Sequence, residues 1–137
     1  MRLLINNLKY LVITFLLLQT SMVTAQELVR NTGIKKTVLK EGKGEMPKEG
    51  QEVKVKVEGK LEDGSIFDSG VMTFGIGDKD MIKGFNEVVP TMKAGEKAEV
   101  TIPASYGYGE KGVQEDGEYI IPPNATLIFE IQLIKVY

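Results

Sequence analysis

Between residues 52 and 61 the chain reads EVKVKVEGKL. Glu52, Lys54, Lys56, Glu58 and Lys60 occupy alternate positions, and Val53, Val55, Val57 and Leu61 fall on the other face. A period of two is the pattern of a strand with one face in water and the other in a core, and no helix separates the two sets. The chain therefore has to build a sheet with a dry side. Some other element must cover that side.

Further segments repeat the pattern. Lys97–Ile102 buries Ala98, Val100 and Ile102, and Thr126–Val136 buries Leu127, Phe129, Ile131 and Leu133. After Leu61, Asp63-Gly64 supplies a turn, and Ser65–Asp68 is extended again. One segment has a helical period: Ile82, Phe85, Val88, Val89 and Met92 share a stripe within Ile82–Met92, and Pro90 prevents a long continuation. Several strands and one helix predict an α+β domain, with a curved antiparallel β-sheet wrapped around one short amphipathic helix.

The N-terminus is of a different kind. Arg2 and Lys9 precede an apolar run from Tyr10 to Leu18, and Val23-Thr24-Ala25 offers the small residues that a signal peptidase reads. Residues 1–25 are expected to be a cleaved signal peptide, since the run is shorter than the roughly 20 residues a membrane span needs. Residues 26–33 read as a short flexible leader, and 34–137 as the domain. Cleavage removes two positive charges and no negative one, so the formal net charge of −2 becomes −4. Such a chain has no phosphate-tracking basic run, and nucleic acid is not an expected partner. After cleavage no membrane association is expected, and the compartment implied is a periplasm.

The chain has no His and no Cys. Serine and cysteine triads, thiol chemistry and the common transition-metal ligand sets are thereby excluded. Asp78/Asp80 and Glu115–Glu118 lack the ligand spacing of a calcium loop, so no metal site is assigned. Gly107–Gly112, GYGEKG, fits the dinucleotide pattern G-x-G-x-x-G. That pattern binds phosphate only where a helix begins inside it, whereas Asp116-Gly117 and Pro122-Pro123 downstream forbid a helix. No cofactor is expected.

Three longer motifs occur in order: GKLEDGSIFDSG (59–70), MIKGFNEVVPTMKAGEKAEVTIPASYGYGEKG (81–112) and IIPPNATLIFEIQLIKV (120–136). Together they resemble the FKBP-type peptidyl-prolyl cis-trans isomerases over residues 34–137. The resemblance implies an enzyme that rotates X–Pro bonds in unfolded or extended polypeptides. It places Phe67, Met81, Phe85, Ile120, Ile121 and Phe129 around a substrate pocket. Asp68, Tyr108 and the backbone N–H of Ile82 would act as preorganised dipoles toward the substrate carbonyls. GYGEKG would begin a loop overhanging this pocket. Macrolide inhibitors are the further ligands implied, and a monomer is expected.

The chain departs from the family pattern at several positions. Val57 stands where a pocket Tyr is usual, Phe85 where Trp is common, and Met72 near a usual Phe. The 70–74 segment is shorter than the common loop and Gln114–Tyr119 is longer. These departures motivate an alternative reading, a non-catalytic chaperone or peptide-binding module of the same fold.

Overall fold

A computed structural model describes residues 31–137. The expected signal peptide lies outside the described residues, as does the expected leader up to Arg30. From Gly33 onward seven strands and one α-helix follow one another as β1 (Lys35–Lys40), β2 (Glu52–Leu61), β3 (Ile66–Gly75), α1 (Lys83–Val88), β4 (Lys97–Ile102), β5 (Val113–Glu115), β6 (Glu118–Ile121) and β7 (Leu127–Val136). Five of the strands form one antiparallel sheet in the order β1-β4-β7-β2-β3, and β5 pairs with β6 as a separate hairpin. The expected architecture, a curved antiparallel sheet with one short helix, is the one observed.

β7 is the middle strand, paired to β4 on one side and β2 on the other. Its inward residues Leu127, Phe129, Ile131 and Leu133 are at most 3% exposed, as are Val53 and Val55 of β2 and Ala98, Val100 and Ile102 of β4. The alternation read from the sequence is thus the core itself. Against it lie Phe85, Val88, Val89 and Met92, also buried.

The helix is shorter than the stripe predicts. Pro90 has no N–H to donate, so after Val88 the backbone tightens into a 3₁₀ turn over Val89–Thr91 and becomes extended at Met92. The apolar stripe survives the change of pitch because all four residues remain on the covered side. The 70–74 segment, read as a shortened loop, is instead the second half of β3, which pairs with β2 as far as Glu52 and Gly75.

Between β2 and β3 the register slips once. Gly59 faces Asp68 and Lys60 faces Ile66, leaving Phe67 as the extra residue of a β-bulge. β1 is fastened differently: Lys36 Nζ donates to the Thr91 carbonyl at 3.1 Å and to Thr91 Oγ1 at 3.2 Å, and lies 2.7 Å from Glu96 Oε2. This cation thereby ties an edge strand to the carbonyl end of the helical segment.

Candidate functional site

Three aromatic rings meet on the covered side of the sheet. Phe129 from β7 lies edge-on to Phe85 of α1, with ring centroids 4.8 Å apart, and edge-on to Phe67 of β3 at 5.5 Å. Phe74 extends the cluster, 6.1 Å from Phe85. Phe85 and Phe129 are almost fully buried, while Phe67 is half-buried. Met81, Ile82 and Ile120 are partly buried against the hydrophobic core to which these rings belong. Phe67, Phe85 and Phe129 make an apolar floor on which Phe67 is the ring that reaches solvent.

The bulge explains how neighbouring residues of β3 both serve this floor. In a regular strand Phe67 and Asp68 point to opposite faces. Here Asp68 sits opposite Gly59, on the face that carries Val53, Val55 and Val57, and the bulge turns Phe67 to that face as well. Asp68 remains exposed at the sheet edge.

Residues 79–83, 104–105 and 107–111 line an open groove that includes Met81, Ile82 and Tyr108. Ile82 precedes α1 with φ −56° and ψ 140°, and among the described residues no acceptor takes its N–H. Tyr108 stands on a loop fixed by backbone hydrogen bonds. Gly107 and Gly109 both donate to the Ala104 carbonyl, Gly112 donates to the Tyr108 carbonyl, and Asn124 donates to the Gly109 carbonyl at 2.8 Å. Gly112 adopts φ +62°, and any β-carbon there would run into the Ile121 carbonyl oxygen and the Pro122 backbone. Gly112, the last glycine of GYGEKG, therefore serves close backbone approach to β6 and its exit turn.

Burial pushes the Tyr108 phenol above its ordinary value of 10.0, and the charge of Asp68 adds to the shift. The hydroxyl is thus a neutral donor at physiological pH, and Asp68 and Tyr108 sense each other electrostatically. No hydrogen bond joins them among the described residues.

The structure thus brings Phe67, Phe85 and Phe129 into ring contact, packs Met81, Ile82 and Ile120 against the core those rings belong to, and sets Asp68 within electrostatic reach of Tyr108. Ile121 differs in degree: at 3% exposed it supports the floor from within the core. Two residues escaped the sequence reading, Phe74 and Gly59. Phe74 was visible as an apolar position in phase with Met72. Gly59, inside a strand pattern, reads only as a weak spot.

Comparison with known proteins agrees with this fold. The family model described as FKBP-type peptidyl-prolyl cis-trans isomerase matches residues 43–134. FK506-binding protein 1 of Dictyostelium discoideum is 42% identical over 107 residues, which cover 74% of this chain and 96% of the relative. Among solved structures, a peptidyl-prolyl cis-trans isomerase from Pseudomonas syringae pv. tomato superposes with a TM-score of 0.69 at 34% identity, covering 76% of this chain and 75% of the other. The protein named AtFKBP13 gives a TM-score of 0.71 at 32% identity, covering 77% of this chain and 94% of its own. A matched family model over most of the chain, a relative matched over 96% of its length and a shared fold place it together: the chain belongs to the FKBP-type peptidyl-prolyl cis-trans isomerases.

Proposed function

We propose that this isomerase is exported and acts on X–Pro bonds of secreted polypeptides as they fold, with the proline ring seated on Phe67, Phe85 and Phe129. The observation that carries the reading is the cluster of Phe67, Phe85 and Phe129, with Asp68 next to Phe67 in the chain and within electrostatic reach of Tyr108, and with Ile82 bonded through its carbonyl to the Phe85 N–H while its own N–H has no acceptor among the described residues. Rotation about the amide faces a barrier of about 18–20 kcal/mol because resonance has to be broken. The twisted amide is less charge-separated than the planar one, so a water-poor seat favours it. Ile82 N–H and Tyr108 Oη–H hold the substrate carbonyls, and Asp68 acts on the twisting carbonyl through its field. No proton is transferred and no covalent bond forms. Macrolides of the kind named in the relatives compete for the same seat.

The test is a prolyl-isomerisation assay on a short X–Pro peptide, run alongside thermal melts. Tyr108→Phe and Asp68→Ala each should cost about 1–3 kcal/mol of barrier, roughly fivefold to a hundredfold in kcat/KM, with melting temperatures close to the parent. Full activity in both variants, or loss of activity only in step with unfolding, overturns the assignment.

A further inference from the structure

Gly59 occupies a crossing point in the sheet. Its pairing partner in β3 is Asp68 and its partner in β7 is Phe129, so one residue lies between two groups of the site. Its backbone is ordinary extended strand, without the positive φ that would require glycine. Strand geometry therefore gives no reason for a residue that weakens a strand. The space around it does. A β-carbon at Gly59 would stand 2.6 Å from Phe67 Cζ, 2.7 Å from Phe129 Cε1 and 2.9 Å from Phe67 Cε2. Both rings have sunk into the volume that any other residue would fill.

We infer that Gly59 is the positioning residue that sets the depth of the proline seat. Together with the bulge it forms one device: the bulge turns Phe67 inward, and the missing β-carbon lets that ring descend until its edge meets Phe129. With a side chain at 59 the two rings are lifted into the space the substrate ring takes. Gly59 touches no substrate itself and acts through Phe67 and Phe129. The inference rests on the proposed seat and adds what gives the seat its depth.

The experiment is a double-variant cycle in the full chain, read by kcat and KM on a short X–Pro peptide and by thermal melts. Gly59→Ala should lower kcat/KM about tenfold or more, chiefly through KM, because the seat is filled while the polar rim is untouched. Phe67→Leu removes two of the three ring atoms that the new methyl meets and leaves room for the Phe129 ring to shift. It should lower kcat/KM alone, yet in the Gly59→Ala background it should cause no further loss and should restore part of the activity. Gly75→Ala, another strand glycine, whose β-carbon would meet nothing within 4 Å, should leave kcat/KM within about twofold. If Gly59→Ala does not fold, recovery of a cooperative melt and measurable activity in the double variant supports the inference, and an unfolded double variant overturns it. Losses that multiply, an unchanged Gly59→Ala, or an equal loss in Gly75→Ala also overturn it. An unchanged Phe67→Leu fails the proposed seat itself, a result distinct from multiplied losses, which fail only the role of Gly59.

Discussion

Tyr108 keeps its proton chiefly because it is partly buried, and secondarily because ionising it would place a negative charge near Asp68. The folded value is therefore above the unfolded one. Below the ordinary 10.0 both states hold the proton and the contribution to stability is fully present; as the pH rises past 10.0 toward the raised folded value the unfolded chain ionises first, and that stability is lost. From about pH 6 to 9, kcat/KM should show no step that depends on Tyr108, because its hydroxyl stays protonated. A pH–rate profile for the parent and Tyr108→Phe checks this: a fall in that range present only in the parent contradicts a neutral donor. Replacing Asp68 by Asn should bring the Tyr108 titration down toward 10.0, read as the alkaline absorbance difference against Tyr108→Phe. At this scale the sequence was legible by resemblance more than by pattern. Nothing in the local alternation distinguishes Asp68 from a turn residue, and the inward aim of Phe67 depends on a bulge that alternation hides.

The elements differ in how plainly they were written. β2, β4 and β7 have one wet and one dry face, and their period shows it. β1, KKTVLK, is an edge strand whose side chains are mostly exposed, so no alternation marks it. β5 and β6 are too short for a period. Only their turn was legible, Asp116-Gly117, and there both residues adopt positive φ, 51° and 83°, as a tight hairpin of the primed kind requires. Because β1 buries little of its own surface, its attachment falls to Ile34 at 0% exposure and to Lys36. The side chains of Lys36 and Glu96 are 11% and 6% exposed. Removing one of a buried pair leaves the other uncompensated, so Lys36→Ala should cost about 3–5 kcal/mol. Lys36→Met with Glu96→Leu should be much closer to the parent in denaturant melts, since that change removes both charges together. Equal losses in the single and double variants would show that lost packing, not the stranded carboxylate, sets the cost.

At the scale of the whole molecule, the proposed export signal precedes a domain of the FKBP type, and the two make separate predictions. The small residues Val23-Thr24-Ala25 predict Gln26 as the first residue of the exported protein, and its intact mass checks this. A mass that retains Met1 contradicts export by cleavage. The order of strands also bears on that route. β7 is the centre of the sheet yet comes after every other strand in the chain, pairing with β2 some seventy residues back. Until β7 arrives, β2 and β4 have no common partner and Phe85 has no Phe129 to rest on. On the proposed export route, a chain threaded N-terminus first would lack a finished core until β7 had followed the other strands.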